Sequence, residues 1–185
     1  MRQIRNVPLV RVVISALAAL AFAAGAAAAG DKSTYDQARQ KAASSYEAAK
    51  KRCDATAGNA RDVCIAEAKA ARTKSEVGAE AVYQDTPKAR ERAADEGAEA
   101  DYKVAKERCG ERTGNDKDVC VKVAKAALVR AKADAKASKK STEAHLEAAK
   151  DKREADYNVA AQKCDAMSAS AKSACLAQAK TKYGM

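Results

Sequence analysis

Tryptophan is absent from this chain, phenylalanine occurs once, at Phe22, and histidine once, at His145. Proline is confined to Pro8 and Pro87. Among 185 residues, so few large side chains exclude the broad apolar interior with which a compact enzyme domain shapes a pocket. The cysteines are widely spaced and have only His145 to join them, which argues against a zinc site built on close pairs. No C-x-x-C redox motif and no glycine-rich phosphate loop occurs. No nucleophile stands beside a general base, and His145 reads as a solvated residue of a Lys-, Glu- and Ala-rich helical stretch. A catalyst, a cofactor and a small-molecule substrate are therefore not expected.

What is present begins with an export pattern. Arg2 and Arg5 precede the apolar run Val12–Phe22, and small residues fill Ala26–Ala29. That order reads as a signal peptide over residues 1–29, with cleavage after Ala28 or Ala29. The competing reading is an uncleaved anchor over Val7–Ala29, which Arg11 and the weakly apolar second half oppose. Either way the remainder lies outside the cytoplasm, periplasmic or secreted, where disulfides persist. Of the net charge of +10, Arg2, Arg5 and Arg11 leave with the signal, so +7 stays.

Beyond the signal the apolar content is mostly alanine, with a thin scatter of larger residues such as Val63, Ile65, Val121, Leu128, Leu146 and Leu176. High charge with few large apolar residues ordinarily predicts disorder. Two features oppose it here. Ala, Lys, Glu, Arg and Gln are strong helix formers, and cysteine bridges substitute for a missing core in small exported chains.

The cysteines recur in one pattern: a tyrosine, six residues, a cysteine, ten residues, a cysteine. Tyr46, Cys53 and Cys64 make the first copy, Tyr102, Cys109 and Cys120 the second, and Tyr157, Cys164 and Cys175 the third. The period is 56 and then 55 residues, the mark of a repeated supersecondary unit. Alanine stands four residues before each first cysteine (Ala49, Ala105, Ala160) and four after each second (Ala68, Ala124, Ala179). Offsets of four and seven lie on one helix face, so each copy predicts two antiparallel arms. Turn residues between the cysteines, Thr56–Asn59 and Thr113–Asp116, suit a glycine C-cap followed by a polar N-cap. Facing arms then bring together Cys53 with Cys64, Cys109 with Cys120, and Cys164 with Cys175. Alanine faces alanine one turn further out, and Tyr46 and Tyr102 face Ala71 and Ala127 beyond that. In the third copy Lys182 takes that place, and the turn Met167–Ser170 lacks glycine.

The expected architecture is all-α: three disulfide-stapled antiparallel helical hairpins in an elongated chain, over residues 30–84, 85–140 and 141–185. Ser33 is a candidate cap for the first helix, with Asp36 as its capping-box partner. Asp85 or Thr86 is a candidate cap at the Pro87 joint. Two arrangements stay open between the copies. Continuous inter-repeat helices give long rods with a kink at Pro87, and breaks near 84–87 and 138–142 give three hairpins on joints. The first is favoured, with a bend or frayed stretch expected at Ser138–Thr142.

The repeat Y-x2-A-x2-[RK]-C-x10-C-[ILV]-x2-A-K after a bacterial-type signal resembles small exported proteobacterial proteins, some labelled TolA-like cell-envelope proteins. The resemblance covers nearly all of the chain beyond the signal and implies an envelope location. It supplies no active residue. Together these features point to a non-catalytic helical repeat protein with a structural, scaffold or protective role, and an envelope protein as its partner. The alternative is a salt-sensitive module for anionic envelope components or nucleic acid, drawing on the basic balance and the dense Lys136–Lys140 stretch. Thiol redox exchange or metal handling is a third reading.

Overall fold

The computed structural model describes residues 30–185, and the export signal expected over 1–29 lies outside them. Among the described residues five α-helices follow one another: α1 (Lys32–Cys53), α2 (Gly58–Gln84), α3 (Pro87–Arg108), α4 (Gly114–Cys164) and α5 (Ala169–Tyr183). No strand occurs among the described residues. No described helix is long and apolar enough to cross a membrane.

Each helix packs only on its neighbours in the chain: α1 on α2, α2 on α3, α3 on α4, and α4 on α5. Cross-helix ion pairs show antiparallel order. Glu67 meets Arg108 and Lys74 meets Asp101 between α2 and α3, while Glu91 meets Lys139 and Glu99 meets Lys132 between α3 and α4. The result is an open zigzag layer with no helix wrapped behind another. Among the described residues its cluster of buried side chains is small: Ala70, Ala100 and Val104, with Ala66 against it. Small side chains suffice because alanine lets the helices approach closely.

The joint at Pro87 overturns the expectation of a long kinked helix. Asp85 ends α2 in the left-handed region (φ 43°, ψ 41°), and its N–H donates to the Ala81 carbonyl. Thr86 then caps α3, its hydroxyl accepting from the Ala89 N–H at 3.0 Å, with Pro87 in the first turn. Proline has no N–H to continue the preceding helix, so the chain reverses and α3 lies back on α2. The Arg90 guanidinium donates to Asp85 at 2.6 Å and steadies the corner.

The bend expected at Ser138–Thr142 does not form. α4 runs unbroken for 51 residues, about 75 Å at 1.5 Å per residue. Serine and threonine keep their backbone N–H groups, and Thr142 Oγ1 donates back to the Ser138 carbonyl at 2.9 Å. Lys139, tied to Glu91 at 2.9 Å, fixes the stretch against α3.

Thr86 is a cap the sequence offers, but the ends of α1, α2 and α4 differ from the expected ones. Asp31, not Ser33, caps α1, accepting from the Thr34 N–H at 3.1 Å, while Ser33 lies within the helix and bonds Gln37. Gly58 and Gly114 take positive φ (57° and 54°) as first residues of α2 and α4, where a left-handed C-cap was expected. Their N-caps, Ala57 and Thr113, make no side-chain cap bond.

Candidate functional site

The chemistry-bearing residues gather at the helix ends, at three sulfur clasps. Cys53 is bonded to Cys64, Cys109 to Cys120 and Cys164 to Cys175, with Cα separations of 5.6, 5.8 and 5.7 Å. No cysteine is free. Cys53, Cys109 and Cys164 are the largest fully buried side chains, and their partners are half-buried. One turn away, Ala68, Ala124 and Ala179 are buried, facing the half-buried Ala49, Ala105 and Ala160. Tyr46, Tyr102 and Tyr157 are half-buried. A basic group lies over two of those rings: Arg72 over Tyr46 and Lys125 over Tyr102, each 5.4 Å from the centroid. Ala71 and Ala127 are both exposed; Ala71 lines the groove beside Tyr46, and Lys125 lies over Tyr102.

The first two clasps are tied to each other. Asn59, just past the first turn, donates through Nδ2 to the Glu107 carbonyl at the end of α3, at 2.8 Å. A Cβ built on Gly110 would crowd Asn59 and lie 2.9 Å from that same carbonyl, so the second turn needs glycine there. The third clasp stands apart, 44 residues along α4 from Cys120, about 65 Å away. Between the last α3 contact and the last clasp, every residue from 143 to 156 is exposed, His145 and Leu146 included.

At the open end of α1 and α2 two further tyrosines meet. Tyr35 and Tyr83 stack with centroids 5.0 Å apart and planes at 19°. The Glu80 carboxylate and the Tyr35 hydroxyl shift each other, the phenol's pKa upward and the carboxyl's downward. The Gly30 N–H donates to the Val82 carbonyl at 3.2 Å, pinning Gly30 to the same corner. Between this lock and the first clasp runs an open groove of about 630 Å³, floored by Ala38, Ala42, Ala68 and Ala79, with Lys41 and Arg52 at its edge. Tyr35 and Tyr83 were not among the packing residues expected. Eleven residues, three helical turns, separate Tyr35 from Tyr46, a spacing that places both on one face and was legible.

Among the described residues no group of three or more His, Cys, Asp or Glu is placed to hold a metal ion. Comparison with known protein families, with characterised proteins and with solved structures returns no match. The reading of function therefore rests on the geometry of this chain alone.

Proposed function

We propose that this chain is an exported, non-catalytic helical repeat protein that serves the cell envelope as a scaffold or spacer. Its three cysteine units act as stapled helical hairpins, and α4 holds the third at a distance from the other two. The observation that carries the reading is α4 itself: a 51-residue helix whose two ends are each clasped, with a bare stretch over 143–156 between them. A helix with no tertiary partner over that length is of use for reach. Disulfides support an oxidising compartment, and the export pattern of residues 1–29 agrees with it.

Crosslinking in intact envelopes tests the reading. A spacer should yield a defined protein partner, joined through residues near the clasped ends, and fractionation should place the oxidised chain outside the cytoplasm. A chain found reduced in the cytoplasm, or one that captures no protein at either end, would overturn it.

One observation favours the second reading. Residues 114–140 carry eight basic and three acidic side chains, and Lys122, Arg130, Lys136 and Lys140 have no ion-pair partner among the described residues. A polyanion binder should hold lipopolysaccharide or DNA at low salt and release it steeply as salt rises.

A further inference from the structure

α4 carries two apolar faces, and only one is used. The used face buries Ala124, Leu128 and Ala135 against α3 and Cys164 against α5. Slightly over half a turn away, Val119, Val123, Ala126, Ala133, Ala137, Ala144, Ala148, Ala155 and Val159 recur at intervals of three and four, interrupted by Arg130, Ser141 and Asp151. Every one of these apolar residues is exposed, and Val119, Val123 and Val159 keep 49%, 60% and 57% of their surface open. α1 and α2 make no contact with α4, so this face is the free outer edge of the layer.

The charges beside that face change sign along the helix. Lys122, Lys136 and Lys140 flank its first half, and Glu143, Glu147, Asp151 and Glu154 flank its second on the same side. None of these seven forms an ion pair among the described residues, although Lys132 and Lys139, nearer the packed face on the same side of α4, pair with α3. Within one chain Lys136 and Lys140, Glu143 and Glu147, and Glu147 and Asp151 are like charges four apart, although Asp118 lies four before Lys122 and Lys140 three before Glu143.

We propose that the outer face of α4 is the dimer interface for a second copy of this chain, packed antiparallel about a two-fold axis near residue 139. That register sets Val119 against the partner's Val159 and Ala133 against the partner's Ala144. It brings Lys122 beside the partner's Glu154 and Lys136 beside the partner's Glu143, and Arg130 reaches the partner's Glu147. A parallel pairing turns this flank toward the partner's other flank, so these lysines and carboxylates never meet; only the antiparallel arrangement brings the two flanks together. An isologous antiparallel seam also closes on itself and stops at two copies. The bare 143–156 stretch then lies against the Lys-rich half of the partner helix.

Sedimentation equilibrium of the oxidised protein reads this directly. The expected result is a dimer at low salt that weakens at about 0.5 M salt, where exposed charges are screened. Val123→Glu with Ala133→Glu should give a monomer, with helicity by circular dichroism unchanged because both positions are exposed. Lys122→Glu with Lys136→Glu should raise the dimer Kd at least about tenfold. Adding Glu143→Lys and Glu154→Lys to that variant should restore it, which a fold defect would not allow. A monomer at every concentration, a dimer indifferent to the Val123/Ala133 change, or a charge-reversed variant that the compensating pair fails to rescue would each overturn the proposal.

Discussion

Replacing Cys164 and Cys175 together by alanine should release α5 while leaving the rest of the layer in place. α5 spans 15 residues, packs on α4 alone, and buries only Ala179 of its own. A helix of that length is marginal in water by itself, and one buried alanine adds little. The clasp closes a loop between residues 11 apart in sequence. For a ring of about twelve residues, the chain-entropy relation gives about 3 kcal/mol at 25 °C. That corresponds to a factor of about 100 in the ratio of docked to undocked α5. Amide hydrogen exchange read by peptide mass reports the ratio directly. In the double variant, protection over 169–183 should fall about a hundredfold, and protection over α2 and α3 should stay as it was. The matching change at Cys109 and Cys120 should lower the thermal midpoint and still leave α3 docked, because α3 also packs along α2. Unchanged exchange over 169–183 in the first variant would refute the reasoning, since it would mean that α5 is held by packing and the sulfur bond is incidental.

Other consequences follow from single residues. Thr86→Ala removes the hydroxyl that caps α3 and should destabilise the chain by about 1 kcal/mol in thermal denaturation, with Thr86→Ser close to the native protein. Gly114→Ala forces a Cβ into positive φ and should cost about 1 kcal/mol, whereas Ala169→Gly at the matching place in the third turn relieves no such strain and should not stabilise. The Tyr35–Glu80 contact should be lost at both ends of the pH scale. Glu80, with its pKa lowered by the Tyr35 hydroxyl, contributes above the ordinary carboxylate range and loses that contribution as pH falls through its folded value. Tyr35, with its pKa raised by the Glu80 carboxylate, contributes below the ordinary phenol range and loses it as pH rises through its folded value. Tyr35→Phe should therefore return the Glu80 titration toward the ordinary carboxylate position in a carbon-detected NMR titration. A Glu80 that titrates unchanged would remove the contact from the account.

How much of this was readable in advance differs from joint to joint. The helical character of the chain and its dependence on cystine were legible, because Ala, Lys and Glu form helices with little help from neighbours. Proline at 87 marked a discontinuity, but its local chemistry is compatible with a kink as well as with a reversal. The reversal came from Asp85, a non-glycine residue held in left-handed geometry by the packing of α3 on α2 and by Arg90. At Ser138–Thr142 local preference suggested weakness, and contact decided otherwise, since the Thr142 hydroxyl satisfies itself within the helix and Lys139 is tied to Glu91. Asn59 suits a cap by local rules, yet it reaches the far end of α3, a partner 48 residues away that no local rule anticipates.

The amino-acid sequence by itself determined the elements: alanine and charged residues wind the helices, the cysteine spacing places the turns, and the N-terminal pattern directs the expectation of export. Tertiary structure alone decided the path between them, turning the chain back at Asp85 and carrying it straight through Thr142. The physical reason is that helix formation depends on each residue and its neighbours within a turn or so. Whether a helix bends, reverses or continues depends on which distant side chains and backbone groups lie against it once the layer has assembled.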